Sequence, residues 1–276
     1  MTKPLLTVCL ITYNHAKYIN SAIDGVLMQK VNFTWEIIIA DDFSTDGTRE
    51  ILLEYKNKYP SKIKLILQEK NVGPSLNWIK LITTPNSKYI AYFEGDDFWI
   101  DPYKLQKQVD FMELNPDYSL CFHDALVYWE NKTKLPYYFC KIKTNTSYDV
   151  EDIIKDWLMP SASIVYRNDL LHPLPQWFNE VYNGDYALQL ILILKGKFYY
   201  INQIMSVYRQ TGTNLSATVN ATKINQSLNK LLHLYNSFTN FKYNTQIINR
   251  IDKLNNSLRI IKVKNIFLKI PFGKNI

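Results

Sequence analysis

The chain has 276 residues, 47% of them hydrophobic, and is long enough to bury a substantial core. Its formal net charge of +7 at pH 7 favours an anionic partner such as nucleic acid, anionic lipid or a phosphate-bearing small substrate. We expect no nucleic-acid partner, because the basic residues are scattered and no helix-turn-helix, zinc-finger or RNA-recognition motif occurs.

The cysteine spacing and the lengths of the apolar segments indicate in which cellular compartment the protein works. Cys9, Cys121 and Cys140 are widely spaced and form no paired metal-binding pattern, which fits a reducing cytosol. The first residues lack an apolar stretch of signal-peptide length, and no segment reaches about 18 uncharged apolar residues. We therefore expect a cytoplasmic protein without a membrane-spanning helix.

Residues 1–130 alternate short apolar runs with amphipathic stretches, a pattern typical of repeated βαβ units and a mainly parallel sheet. The apolar runs predict buried strands at residues 5–12, 36–40, 63–68 and 89–93. The amphipathic stretches between and after them predict helices at residues 18–29, 48–58, 75–83 and 102–115.

The second half of the chain is less regular. Its segments predict a strand at 118–129, a polar loop or hairpin at 131–148, a strand at 163–166, a helix at 185–194 and a strand at 198–201. From about residue 221 the pattern is only helical. Two apolar stripes at helical spacing follow there: Ile224, Leu228, Leu231, Leu232, Tyr235 and Phe238, then Ile247, Ile248, Ile251, Leu254, Leu258 and Ile261.

The last segment, Arg259 to Lys274, mixes large apolar residues with five basic ones, as an interfacial membrane segment does. Three alternatives stay open for the C-terminal helices. They pack on their own domain, contact a membrane surface or mediate dimerisation.

Polar clusters follow three of the predicted strands at the end where an open α/β sheet binds its ligands. Neighbouring carboxylates after a buried strand repel one another unless a cation or hydrogen-bond donors accept them. Mg²⁺ and Mn²⁺ prefer oxygen ligands and are held by one or two carboxylates while substrate phosphates complete the shell. We therefore predict that Glu94, Asp96 and Asp97 form a metal–diphosphate site. For Asp41 and Asp42 taken alone, a helix cap and a solvated turn is an equal alternative.

These clusters resemble the nucleotide-binding half of the inverting family 2 glycosyltransferases, which have the GT-A fold. The resemblance covers about residues 4–215, and four segments carry it: Thr12-Tyr13-Asn14, Glu36 to Thr48 with Asp41-Asp42, Asn71-Val72-Gly73, and Tyr89 to Trp99 with Glu94-Gly95-Asp96-Asp97. It implies an α/β fold with a Rossmann-like, mainly parallel central sheet flanked by helices and followed by a C-terminal helical extension.

The resemblance also implies roles for these residues. Residues of the first three segments would bind the nucleotide, with Asp42 at the base; they are Thr12, Tyr13, Asn14, Asp41, Asp42, Asn71 and Gly73. Asp96 and Asp97 would be the metal-and-ribose acids. Glu94 stands where the family often has the first Asp of its Asp-x-Asp motif.

Two later segments resemble family motifs as well. Asn183 to Leu188 is similar to the segment whose aspartate takes the proton from the acceptor hydroxyl, which would make Asp185 the base; an aspartate that caps the following helix is the alternative. Tyr208-Arg209-Gln210-Thr211 resembles the segment that folds over the diphosphate, so Arg209 would contact that group. Thr211 stands where a histidine is common.

The expected function is that of a Mn²⁺- or Mg²⁺-dependent inverting glycosyltransferase. It would move a sugar from a nucleotide sugar, a UDP-sugar by expectation, to a glycan or lipid-linked acceptor in surface polysaccharide synthesis. Residues 1–215 would be the catalytic domain, with a nucleotide half to about residue 100 and an acceptor half after it, and residues 216–276 the extension that could contact the inner membrane face or a second copy. A nucleotidyltransferase and a catalytically silent nucleotide-sugar-binding protein are the alternatives.

Overall fold

The central sheet begins with four parallel strands that follow one another through helical crossovers. The computed structural model describes residues 3–131, 133–140, 142–212 and 221–267, except for the side chains of residues 221 and 257–267. Its first elements are β1 (Leu6–Thr12), α1 (Ile19–Leu27), β2 (Trp35–Asp41), α2 (Thr48–Lys58), β3 (Ile63–Leu67), α3 (Pro74–Thr83) and β4 (Tyr89–Glu94). β1 pairs in parallel with both β2 and β4, and β2 pairs in parallel with β3.

The remaining elements extend this sheet. They are β5 (Phe98–Trp99), α4 (Lys104–Leu114), β6 (Tyr118–Trp129), β7 (Tyr137–Tyr138), β8 (Thr146–Tyr148), α5 (Val150–Lys155), β9 (Val165–Arg167), α6 (Gly184–Ile193), β10 (Lys197–Gln210), α7 (Ala221–Phe238) and α8 (Asn244–Phe267). Within the described ranges the strand order is β3-β2-β1-β4-β9-β6-β10-β5, with β7 on β6 and β8 on β10. β9 is antiparallel to both its neighbours, whereas β6 and β10 are parallel.

Alternation along the strands gives the sheet two buried faces. In β2, Ile38 and Ala40 belong to the core under α3 and α6, while Ile37 and Ile39 belong to the core under α1, α2 and α4. All four are buried. This two-sided burial explains why the strand sequences are continuous apolar runs.

The predicted and observed elements agree closely in the first half, and α2 matches its predicted range of 48–58. In the second half, β10 is one strand of 14 residues, although only residues 198–201 were expected to be a strand. β5 and α5 were not predicted. The predicted strand at 163–166 begins instead as a short 3₁₀ turn over Ser161–Ser163, which β9 follows.

The C-terminal helices pack on the core beside α5 and α6. Their buried apolar residues all belong to the core cluster on that face: Leu228, Leu231, Leu232, Tyr235, Ile247, Ile251 and Leu254. Phe238 and Ile248, also in the predicted stripes, are 45% and 38% exposed. The predicted membrane-contacting segment, 259–274, lies outside the described side chains. The predicted boundary between the catalytic domain and the extension, at residue 215, also lies outside the described residues and stays a prediction.

In the part of the chain that the structure describes, no helix is both long and apolar enough to cross a membrane. All three cysteines are free and buried.

A buried lysine in α4 lies between Trp99 and Gln108. Lys104 is fully buried; its Nζ donates to Oε1 of Gln108 at 2.8 Å and lies 4.1 Å from the centroid of the Trp99 ring. Gln108 donates onward to the carbonyls of Cys121 and Ser163, at 2.9 and 2.8 Å. Burial lowers the pKa of Lys104 to about 7.

The stability of the protein should therefore rise with pH relative to a Lys104→Met variant. Because the pKa of Lys104 is lower in the folded than in the unfolded chain, this lysine opposes folding increasingly as the pH falls from about 10 to about 7. Between pH 7 and pH 9.5, we expect the free energy of unfolding of the variant minus that of the wild type to fall by about 3 kcal/mol. Urea unfolding at both pH values measures this difference.

The exposed Lys80→Met variant is the control for general effects of pH on unfolding. An unfolding difference for Lys104→Met that does not change with pH would show that this lysine keeps its ordinary titration in the folded protein.

Candidate active site

The loops after β1 and β2 are joined by hydrogen bonds at the C-terminal edge of the sheet. The backbone N–H of Asn14 donates to Oγ of Ser44 at 2.8 Å, and the N–H of Thr45 donates to Oδ1 of Asn14 at 2.9 Å. The N–H of His15 donates to Oγ1 of Thr48 at 2.9 Å. These bonds hold the predicted nucleotide-binding segment Thr12–Asn14 against the Asp41–Thr48 segment.

Asp41 is completely buried, and both its carboxylate oxygens are bound within the protein. Nε of Arg49 lies 2.7 Å from Oδ2, to which the N–H of Ser44 also donates, at 3.1 Å, while the Ser44 hydroxyl donates to Oδ1. Arg49 also donates to the carbonyl of Gln68. In this structure Asp41 fixes the turn after β2, and its predicted contact with the nucleotide stays a prediction.

Asp42 brings the predicted residues Asn71 and Gly73 into the site. Its two oxygens accept the N–H groups of Val72 and Gly73, at 2.7 and 2.9 Å, and Oδ1 of Asn71 accepts the same Gly73 N–H at 3.1 Å. Gly73 has a φ of 87°, which only glycine adopts without strain. Burial raises the pKa of Asp42, although the two N–H groups oppose the shift.

A cluster of carboxylates follows β4. Glu94 is partly buried, whereas Asp96 and Asp97 are 5% and 0% exposed. Burial and repulsion by Asp96 and Asp185 raise the pKa of Glu94 to about 8. Burial and repulsion by Asp96 and Glu94 hold the pKa of Asp97 well above its ordinary value, although the backbone N–H of Arg209 opposes this. The negative charge of Asp96 therefore disfavours ionisation of both Glu94 and Asp97.

This cluster fits a divalent cation. Oδ1 of Asp97 accepts the Arg209 N–H at 2.9 Å, but Oδ2 is buried and has no hydrogen-bond partner among the described residues. A buried carboxylate oxygen without a donor, next to two further carboxylates, is stabilised by a bound cation. In the described ranges, no three or more His, Cys, Asp or Glu side chains lie in an arrangement that could hold a metal ion. Phosphate oxygens of a substrate are the usual additional ligands of Mg²⁺.

Gly95 allows the first strand to approach the acids. A methyl group at this position would lie 2.9 Å from Nδ1 of His15 and 3.0 Å from Oγ1 of Thr12. Both of these atoms are buried without a hydrogen-bond partner among the described residues. Gly95 therefore lets Thr12 and His15 lie directly beside the turn that carries the carboxylates.

Asp185 lies in the first turn of α6, and its position in the site depends on close packing of that helix end. A methyl group at Gly184 would lie 2.8 Å from the ring of Trp78 on α3, so the helix start is fixed against α3. Burial raises the pKa of Asp185 to about 6, against the effect of its own N–H and that of Tyr186. The N-cap residue of α6 is Asn183, so Asp185 is not the cap itself. The Asp185 carboxylate interacts with backbone N–H groups of the first turn. It also lies close enough to Glu94 to raise the pKa of that residue.

Arg209 reaches the acids from β10. Its backbone binds Asp97, and its guanidinium lies 4.7 Å from the ring centroid of Tyr18 and 4.9 Å from that of Phe98. The hydroxyl of Tyr18 donates to Glu130 at 2.6 Å. Sequence reasoning missed Tyr18, Phe98 and Glu130, because they are distant from Arg209 in sequence and only the fold brings them near it. The significance of Thr211 stays a prediction.

The family model described as "Glycosyl transferase family 2" matches residues 7–167, more than half of the chain. The chain belongs to glycosyl transferase family 2. The predicted family resemblance is thereby confirmed. The matched range contains the β1, β2 and β4 ends described above, whereas Asp185 and Arg209 lie beyond it.

Several relatives are similar over most of the chain. An uncharacterised protein of Mycobacterium tuberculosis is 32% identical over 206 residues, which are 74% of this chain but only 58% of the relative. The "Putative teichuronic acid biosynthesis glycosyltransferase TuaG" of Bacillus subtilis is 29% identical, over 78% of this chain and 82% of its own. A "UDP-Glc:alpha-D-GlcNAc-diphosphoundecaprenol beta-1,3-glucosyltransferase WfgD" of Escherichia coli is 27% identical, over 77% of this chain and 80% of its own.

Solved structures agree with the fold. S. aureus TarS 1-349, crystallised with UDP-GlcNAc, has a TM-score of 0.64 at 18% identity, over 84% of this chain and 66% of that one. The mannosyltransferase PcManGT of Pyrobaculum calidifontis, in complex with GDP-Man and Mn²⁺, has a TM-score of 0.60 at 16% identity, over 84% and 64%. Together with the family match, they confirm the predicted α/β fold of GT-A type with a mainly parallel, helix-flanked central sheet.

The ion pair between Arg49 and Asp41 should matter far more for stability than an exposed ion pair elsewhere in the protein. Arg49→Met leaves the Asp41 charge buried, and we expect it to lower the free energy of unfolding by about 3 kcal/mol. Lys88→Met breaks a similarly short pair with Glu113, but these two side chains are 46% and 42% exposed, so we expect a loss below about 1 kcal/mol.

Denaturant unfolding of both variants measures the contrast, and adding Asp41→Asn to Arg49→Met should recover part of the loss. Equal losses for the two single variants would show that the Arg49 pair is as well hydrated as the surface one.

Proposed function

We propose that this protein is a metal-dependent, inverting glycosyltransferase that moves a sugar from a nucleotide-sugar donor to a hydroxyl group of a glycan or lipid-linked acceptor. The observation that carries the proposal is the convergence of Glu94, Asp96, Asp97 and Asp185 at one edge of the sheet, with the pKa values of three of them raised. Clustered acids with perturbed pKa values at a strand edge are typical of catalytic sites.

Asp97, Asp96 and Glu94 are the proposed ligands of Mn²⁺ or Mg²⁺. The buried oxygen of Asp97 that has no hydrogen-bond partner among the described residues, and the repulsion of Asp97 by Asp96 and Glu94, support a cation at this place. When bound, the cation would stabilise negative charge on the departing diphosphate. The neighbour PcManGT, whose structure contains Mn²⁺, agrees with this choice.

Asp185 is the proposed base. With a pKa of about 6, raised by burial, it is mostly ionised at neutral pH and is a stronger base than an ordinary aspartate. The acceptor hydroxyl attacks the anomeric carbon from the face opposite the nucleotide, and its proton passes to Asp185. The bond from that carbon to the diphosphate breaks with its electron pair on the leaving group, which inverts the configuration.

The donor is proposed to bind along the joined ends of β1 and β2. Asp42 and the Asn71–Gly73 turn would hold the base, Thr12, Tyr13 and Asn14 would line the pocket, and Arg209 would contact the diphosphate. A UDP-sugar is the proposed donor, because S. aureus TarS, a structural neighbour, was crystallised with UDP-GlcNAc and WfgD is named for UDP-Glc. A polysaccharide acceptor is supported by the relatives named for teichuronic acid biosynthesis and for a diphosphoundecaprenol substrate. We propose that the protein works on the inner membrane face, where residues 259–274 would contact lipid.

A donor screen tests the proposal directly. Purified protein with Mn²⁺ or Mg²⁺ is exposed to a panel of sugar nucleotides, and thermal shift and nucleotide release are recorded. One donor should both stabilise the protein and be slowly hydrolysed. If no sugar nucleotide binds with either metal, the proposed function is wrong.

Asp97→Asn should remove cation binding and leave the fold intact. The amide can still accept the Arg209 N–H, and the metal-free variant loses a charge that Asp96 and Glu94 repel. For the wild type, a ligand at 100 times its Kd raises the free energy of unfolding by about 2.7 kcal/mol. We expect the thermal shift with Mn²⁺ and UDP to vanish in the variant, while its melting temperature without ligands does not fall.

The control is Asp124→Asn, which alters another buried aspartate that accepts two backbone N–H groups, those of Ala125 and Cys140. This control should keep the ligand-dependent shift. A normal shift in Asp97→Asn would place the cation elsewhere.

Asp185→Asn should separate catalysis from donor binding. Loss of the base lowers turnover by about 10²–10⁴-fold, while the donor-dependent thermal shift stays as in the wild type. The control is Asp169→Asn, at an exposed aspartate in a 3₁₀ turn, which should keep full turnover. Donor hydrolysis and, once an acceptor is found, transfer rates measure the effect. Turnover of Asp185→Asn within threefold of the wild type would exclude Asp185 as the base.

A further inference from the structure

Phe43 has a left-handed backbone conformation, which is unusual for a bulky residue. Its φ is 64°, in the left-handed region, where glycine, asparagine and aspartate are found routinely and bulky residues are rare. Asn14, in the loop joined to it, has a φ of 54°, but asparagine tolerates this conformation. A phenylalanine held in such a conformation is strained, and strain of this kind concentrates at ligand-binding and catalytic sites.

The ring of Phe43 lies over the buried ion pair described above. The guanidinium carbon of Arg49 is 5.1 Å from its centroid, and Arg49 is held in place by Asp41. Phe43 is nevertheless 39% exposed. The Phe43 ring therefore contacts a fixed, positively charged guanidinium and still exposes part of its surface to solvent.

A second exposed aromatic residue lies at the end of the neighbouring strand. Tyr13 directly follows β1 and is 46% exposed, and β1 pairs in register with β2, which ends just before Asp42 and Phe43. The bonds of Asn14 to Ser44 and Thr45 tie the two loops together. Both aromatic residues are thus fixed at the carboxyl edge of the sheet, where ligands of α/β proteins bind.

We propose that Phe43 stacks on the base of the nucleotide donor; this inference rests on the proposed function. The adjacent Asp42 carboxylate supplies hydrogen-bond acceptors beside the ring, so a flat heterocycle with N–H groups matches both neighbours. Stacking tolerates every base because each has a π-face. Phe43 therefore provides affinity for the base, and discrimination among bases depends on polar groups such as Asp42.

Binding of UDP with Mn²⁺, and of uridine alone, to Phe43→Ala, Phe43→Gly and Phe43→Tyr tests the proposal by calorimetry and by competition. Loss of the ring should weaken both ligands by the same factor, about 5- to 100-fold, since uridine keeps the base contact and lacks the diphosphate. Phe43→Tyr should bind both within about twofold of the wild type. The preference for UDP over CDP should be the same in all variants.

Phe241 offers a matched control, because its φ is 59° and its side chain is 62% exposed in the turn between α7 and α8. At both positions the glycine variant should melt at a higher temperature than the alanine variant, since glycine relieves the backbone strain. Only the variants at position 43 should lose nucleotide affinity.

Three outcomes decide the matter. If wild-type protein binds UDP and Phe43→Ala binds it equally well, the stacking inference is wrong and the proposed function stands. If Phe43→Ala weakens UDP but not uridine, the ring acts through the diphosphate site and stacking is again excluded. If the wild type binds no nucleoside diphosphate, both the inference and the proposed function fail.

Discussion

Repulsion among the carboxylates that follow β4 is the constraint around which the site is arranged. Asp97 is fully buried beside Asp96 and Glu94, and such a group is tolerated only where donors or a cation offset its charge. Among the described residues, one backbone donor, from Arg209, binds this carboxylate, and its other oxygen has no hydrogen-bond partner. Electrostatic repulsion therefore disfavours the ligand-free site, which is the physical reason for proposing a cation there.

Strand pairing and helix packing position the loops and side chains of the site. β1 lies between β2 and β4, so the three loops that carry the proposed nucleotide and metal residues emerge side by side. β10 runs far enough to pair with both β6 and β5, which delivers Arg209 to the acids. α6 adds Asp185 from the opposite half because its first turn packs tightly on Trp78. Rigid elements, rather than long loops, thus position the candidate catalytic groups.

Local sequence patterns predicted the elements whose residues carry their own periodicity. The apolar runs of β1 to β4 and the helical spacing of α2 are properties of short segments, and the acids after β4 follow directly from such a run. β5 has two residues and shows no periodicity. The length of β10 depends on partners that are distant in sequence, such as Tyr128, which lies 81 residues before its partner Arg209. Similarly, the left-handed backbone of Phe43 lies in a turn that is held in part by a hydrogen bond from Asn14 of another loop, and such contacts between loops are not visible in a single segment.

The position of β9 in the sheet has a consequence for engineering. This strand, from the second half of the chain, lies between β4 and β6, and β10 pairs with the two-residue β5 that directly follows the acids. The proposed donor and acceptor halves are therefore interleaved in one sheet and share hydrogen bonds across it. A chimaera that joined the first hundred residues of this chain to the remainder of another family member would have to rebuild those strand pairings, and a fragment ending there would expose an unpaired β4 edge prone to aggregation.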